Sequence, residues 1–161
     1  MVKRKFAITI ELECYSPGPN DPWDHNSGGY IVIRSFYVVA SFRHAVHFNK
    51  MQREHLRPKT CSDYVVFSEF VTDRKKADST YSEKLYFADA IYAAENGIEC
   101  IGVRRGHGTP VRATGTVEFD DDIQPKTINF LLAYALSAIG IGASKMGGFG
   151  CGYIVKFEEI T

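Results

Sequence analysis

The stretch Ile139-Gly-Ile-Gly-Ala-Ser-Lys-Met-Gly-Gly-Phe-Gly-Cys-Gly152 constrains this chain more than any other. It carries six glycines, one cation (Lys145) and one aromatic (Phe149). Glycine at that density forgoes side-chain packing and raises the entropic cost of ordering the backbone. A chain keeps it where the backbone must turn sharply, or where its amides must lie against something. Apolar residues at helical spacing precede the stretch, Ile128 to Ile139, and a strand pattern follows it, Tyr153 to Phe157. Successive exposed N–H groups in such a loop form an anion-binding nest, and Lys145 adds positive charge. Because the loop follows a helix, the helix end facing it is the negative one. A phosphate bound here would depend on loop amides and Lys145, not on a helix N-terminus.

At 161 residues the chain is long enough for a real core and is expected to form one domain. Formal net charge is zero. No global field favours nucleic acid, so any such argument must be local. The four cysteines, Cys14, Cys61, Cys100 and Cys151, lie far apart and form no CxxC pair. That spacing argues against structural zinc and leaves disulfides unsupported. Reduced thiols in a cytoplasmic protein are the expectation. Met1-Val-Lys-Arg-Lys-Phe6 looks like the start of a signal peptide, but Glu11 and Glu13 interrupt the apolar run behind it. No run is long enough to span a bilayer, so no membrane partner is expected.

Phe6, Ile8, Ile10, Leu12 and Cys14 alternate with Ala7, Thr9, Glu11 and Glu13, the period of a half-buried strand. Pro17, Pro19 and Pro22 end it. Tyr30 to Phe42, rich in Ile, Val, Phe and Tyr, predicts a second, long strand. It runs into the most basic part of the chain, Arg43 to Lys59, which also holds His44, His47 and His55. A short helix is expected there, ending before Pro58. Asp63 to Val71 predicts a third strand, and Asp73 to Ser79 a polar loop. Thr80 and Glu83 have the spacing of a capping box. Phe87, Ile91, Ala94 and Ile98 then predict a helix, which Gly97 helps to stop. Glu99 to Val103 and Val111 to Phe119 predict strands on either side of a turn. Asp120-Asp-Asp122 reads as an acidic helix start, favourable at the positive helix end. Ile128, Leu131, Leu132, Ala135 and Ile139 make one apolar stripe, a core face.

These elements predict an α+β fold: a ferredoxin-like βαββαβ unit over residues 62–161, with two additional N-terminal strands and the basic segment in residues 1–61. A weak internal echo fits the pseudo-twofold halves of such a unit. Ile101-Gly-Val-Arg-Arg-Gly-His-Gly108 precedes a strand ending Val117-Glu-Phe119. Ile141-Gly-Ala-Ser-Lys-Met-Gly-Gly-Phe-Gly150 precedes one ending Val155-Lys-Phe157.

The block Gly140 to Gly150, between a helix and a final strand, resembles the C-terminal glycine-rich loop of the RAMP superfamily, the CRISPR-associated RNA-binding proteins with ferredoxin-like domains. In that family a Gly-x-Gly, a short basic stretch and a Gly-aromatic-Gly close the last helix-to-strand turn. The opening Ile8-Thr-Ile-Glu-Leu12, with Ser16 and Pro17, is more loosely similar to the family's first strand. The middle of the chain matches no named family. Here the basic stretch is reduced to Lys145, and the chain is short for two complete ferredoxin-like domains. The histidine of the family's processing endonucleases has no position fixed by a motif. A single-domain relative encoded by a phage or mobile element is therefore as compatible as a defence subunit.

The resemblance implies RNA as partner, single-stranded or hairpin, bound at Lys145 and the amides of Gly147, Gly148 and Gly150, with Phe149 stacking on a base. Arg104 and Arg105 would contact the backbone from the neighbouring loop. Base stacking of this kind contributes about 1–3 kcal/mol. A second function stays open: a phage-encoded interaction or assembly protein with protein subunits or copies of itself as partners, which zero net charge and 11 Phe with 9 Tyr favour. A third is a metal-independent RNA-processing endonuclease using His107, His44 or His47 as base. His44-x-x-His47 could hold a metal, but no clear third ligand accompanies it. No metal or other cofactor is expected, and the balance is against an enzyme.

Overall fold

The structure, a computed structural model, describes residues 3–17, 23–51, 55–75, 101–103, 109–142 and 150–160. Its organising element is β1, Lys3–Leu12, whose Phe6, Ile8, Ile10 and Leu12 are buried as the alternation predicts. After Glu13 the chain continues as β2 (Cys14–Tyr15). A hairpin of β3 (Asp24–His25) and β4 (Tyr30–Ile33) follows, then helix α1 (Ser35–Phe48) and the short α2 (Cys61–Tyr64). Strands β5 (Val65–Phe67), β6 (Phe70–Lys75), β7 (Ile101–Gly102) and β8 (Val111–Asp120) come next. Helix α3 (Pro125–Tyr134) runs into a π turn, Ala135–Ile139, and β9 (Gly152–Glu159) completes the order.

The main sheet is antiparallel and runs β3-β4-β6-β8-β1-β9, with β5 also paired to β8. Strand β1 pairs with β8 along its whole length, from Lys3 opposite Asp120 to Leu12 opposite Val111, and with β9 on its other side. It is thus an interior strand, paired on both edges. β5 and β6 follow each other along β8. Between them the Ser68 hydroxyl accepts the Thr116 N–H at 2.8 Å, standing in for a backbone carbonyl. A separate two-stranded sheet joins β2 to β7.

The long strand expected over Tyr30 to Phe42 is corrected: the strand stops at Ile33 and the helix starts at Ser35. Val38, Phe42, Ala45 and Val46 are all buried, a helical spacing hidden inside a run of β-favouring residue types. Burial on one face outweighed residue propensity. The start of the basic segment is therefore the last turns of α1. The polar loop expected from Asp73 is also corrected at its start, because β6 reaches Lys75. In α3 the stripe Ile128, Leu131, Leu132 and Ala135 is buried; the π turn then shifts the phase, so Leu136 is buried while Ile139 is only partly covered. The acidic run caps nothing: Gln124 is the N-cap, and the first turn of α3 holds no acidic residue. The helix expected over Thr80 to Ile98 lies outside the described residues, as do Glu99 and Cys100.

The buried side chains of β1, β5, β6 and β8 pack with those of α1 and α3 in one cluster. Phe6 stacks between Phe119 at 5.4 Å and Phe157 at 4.7 Å, joining three strands. Gly115 gives space to a neighbour: a Cβ there would meet the Phe70 ring at 2.7 Å.

Candidate functional site

Strand β1 ends at Leu12, although the alternation runs on to the buried Cys14, and Glu13 and Cys14 become the seat of the segments that flank both glycine-rich stretches. Val103, which leads into the 104–108 loop, donates its N–H to the Glu13 carbonyl at 2.6 Å. Glu13 donates its own N–H to the Cys151 carbonyl at 2.8 Å, shortly after residues 143–149 in the chain. The Gly150 N–H donates to the Cys14 carbonyl, and the Ile141 N–H to the Gly150 carbonyl at 3.0 Å. Glu13 and Cys14 thus hold the stem of each loop beside that of the other.

These approaches require glycine. Gly150 has φ +79° and Gly102 φ +115°, a region costly for L side chains. A Cβ on Gly150 would run into the Ile141 backbone, and one on Gly102 into the Glu13 carbonyl. Two side chains from elsewhere complete the seat. Ser41 of α1 donates to the Gly140 carbonyl at 2.5 Å, fixing the end of the π turn. Arg74 of β6 is buried, and its Nη2 donates to the Thr109 carbonyl and hydroxyl and to the Pro110 carbonyl at 2.9 Å.

Between the stems lies a cleft of about 460 Å³, walled by Val103 and Pro110 on one side and Cys151 and Gly152 on the other, with Glu11 and Glu13 lining it. Glu11 accepts from the Tyr153 hydroxyl at 2.7 Å and from Arg112 at 3.0 Å. Those donors, Tyr153 first, hold its carboxyl below the usual carboxylate range. The same bond pushes the Tyr153 hydroxyl up. Partial burial, and then the charge of Glu13, raise the Cys151 thiol, so it stays protonated at neutral pH.

The predicted site residues divide sharply. Arg104, Arg105, His107, Lys145, Gly147, Gly148 and Phe149 lie outside the described residues. Gly150 is described: it is buried, and its N–H donates to the Cys14 carbonyl. His44 and His47 are exposed on α1, with ring contacts to Phe48 at 6.2 and 5.7 Å. Tyr37 and Ser41, earlier on the same helix, are the ones that reach Pro17 and Gly140. Sequence reasoning missed Arg74, whose signal was its period-two place after Phe70 and Thr72. It also missed the backbone role of Glu13, which no residue type announces.

No family model matches the chain, and no curated protein matches it. Solved structures do. A chain in the cryo-EM structure of the Type III-B Cmr-beta bound to cognate target RNA matches with TM-score 0.62 at 12% identity, over 99% of this chain and 61% of that one. Oligomeric Cmr4 from Pyrococcus furiosus matches over 98% and 99% at 9% identity, but with TM-score 0.49, too low to decide anything. The chain spans about three fifths of the length of the first neighbour. At this identity the likeness is one of fold alone. Among the described residues no helix is long and apolar enough to cross a membrane.

Proposed function

We propose that this chain is a cytoplasmic, single-domain, RAMP-like RNA-binding protein of CRISPR-related or phage biology. It holds single-stranded or hairpin RNA with its two glycine loops and does not cleave it. The fold is read as ferredoxin-like, with β1, α1, the β5–β6 pair, β8, α3 and β9 as the six elements. The antiparallel order β9-β1-β8-β6 supports that reading. The observation that carries the function is the seating of both loop stems on Glu13 and Cys14. Whatever binds beside one stem is flanked by the other. The described walls of the cleft present carboxylates, Glu11 and Glu13, and on this reading Arg104, Arg105 and Lys145 supply the positive charge for a phosphate chain.

The test is fluorescence anisotropy with labelled single-stranded and hairpin RNA across a salt series. Binding should weaken steadily with salt and fall in Lys145→Ala and in the double variant Arg104→Ala/Arg105→Ala. No binding at low salt would end the proposal.

A second reading, assembly with a protein partner, is favoured by β9. It ends the strand order and exposes Tyr153 and Val155, with Ile160 just beyond. Light scattering that shows a stable oligomer in protein free of nucleic acid would move the balance to it.

A further inference from the structure

The far end of the sheet from the glycine loops carries a second cluster. There β8 finishes at Asp120, opposite Lys3. The chain then turns, with the Ile123 N–H donating to the Asp120 carbonyl at 3.0 Å, and this turn brings Asp122 back beside Asp120. His55 reaches the same point from the turn after α1, anchored by the buried Leu56. One ligand atom from each of His55, Asp120 and Asp122 lies within 4.8 Å of the other two. The His55 Nδ1 is 2.9 Å from Asp122 Oδ2.

Burial gives this cluster its meaning. Asp120 is only 5% exposed, and its carboxylate makes no hydrogen bond or ion pair among the described residues, its oxygens keeping only a narrow contact with water. A carboxylate with so little contact with water gains from a donor or a cation beside it. Asp122 brings a second negative charge to the same point, which worsens the deficit. Helix capping does not account for the arrangement, since the α3 cap is Gln124. The imidazole is itself held in place: its ring stacks on Tyr64 at 4.2 Å and 23°, and its side chain is 13% exposed.

We propose that His55, Asp120 and Asp122 bind a divalent first-row transition-metal ion. The donor set is one imidazole nitrogen and two carboxylate oxygens, which suits Zn²⁺ or Mn²⁺ and excludes Cu(I). Water fills the remaining positions. The ion replaces the missing donors of Asp120 and ties the turn after α1 to the end of β8. Its role is to brace these two segments, and it does not depend on whether the glycine loops bind RNA.

The experiment uses the full chain without a polyhistidine tag, stripped with EDTA and titrated separately with ZnCl₂ and MnCl₂ by calorimetry, with melting followed in parallel. One ion per chain and a higher melting temperature are expected with at least one of the two metals. Asp120→Asn, Asp122→Asn and His55→Gln should each weaken binding by about tenfold or more and remove the melting shift. Asp122 is half exposed, so its variant folds even if the Asp120 variant does not. A His44→Gln/His47→Gln double variant should bind as the parent does. No binding of either ion overturns the proposal. So does binding that survives Asp122→Asn and His55→Gln, or that is lost in the His44/His47 variant, which marks adventitious capture by surface histidines.

Discussion

Arg74 Nη2 donates to both oxygens of Thr109, the backbone carbonyl and the hydroxyl, each at 2.5 Å. A guanidinium buried near the end of a strand thereby holds Thr109 and Pro110 at the entry to β8. Arg74→Met keeps most of the stem but leaves those oxygens and the Pro110 carbonyl without their donor. The expected loss is about 1–3 kcal/mol in urea unfolding. Arg74→Lys should recover part of it, because an ammonium cannot serve the same fork of acceptors. Unchanged stability in Arg74→Met would remove this residue from the account of the loop.

Gly150→Ala should cost about 1–3 kcal/mol, since φ +79° is strained for alanine and the added methyl group meets the Ile141 backbone. The seat formed by Cys14 is then lost, and RNA affinity should fall with it. Thermal melting and anisotropy on one preparation check both.

Gly115→Ala ought to destabilise the protein, against the usual gain from replacing a strand glycine. The new methyl group would meet the buried Phe70 ring, an overpacking cost of about 1–3 kcal/mol. In a Phe70→Leu background the same change should cost much less, and a double-mutant cycle reads the coupling directly.

The Glu11–Tyr153 bond predicts a pH dependence. Glu11 is a stronger acid in the folded chain than in the unfolded one. Its contribution is complete above the unfolded pKa and is lost as pH falls through the lower folded value. Tyr153 shifts the other way, so its contribution holds below its unfolded pKa and is lost as pH rises through the folded one. Tyr153→Phe should therefore be less stable than the parent near neutrality and converge with it at both extremes. Tyr153 is exposed and Glu11 is only partly covered, so the difference should be small and shrink with added salt. A gap that stays constant from acid to alkaline pH would contradict this.

Legibility followed periodicity. Phe6, Ile8, Ile10 and Leu12 announced β1, and Ile128, Leu131, Leu132 and Ala135 announced α3, because one face of each is buried and its period survives in the sequence. α1 was hidden because Val38, Val39 and Phe42 are strand formers whose buried subset becomes visible only once the sheet beneath is known. The use of Gly102 and Gly150 was not legible. Their purpose is contact with Glu13 and Ile141, residues far away in the chain or reached by a turn. The His55 cluster left no trace, since its ligands are joined only by the meeting of two turns.

The central place of β1 has a consequence for how the molecule comes into being. Its two neighbours, β8 and β9, are among the later strands, and the Arg4–Glu159 ion pair closes a span of 155 residues. A nascent chain emerging from the ribosome holds that apolar strand without a partner until residues 111–120 appear. It cannot cover the second edge until residues 152–159 follow. Such long-range closure slows folding. During translation the Phe6 to Leu12 segment is therefore a natural client for a chaperone.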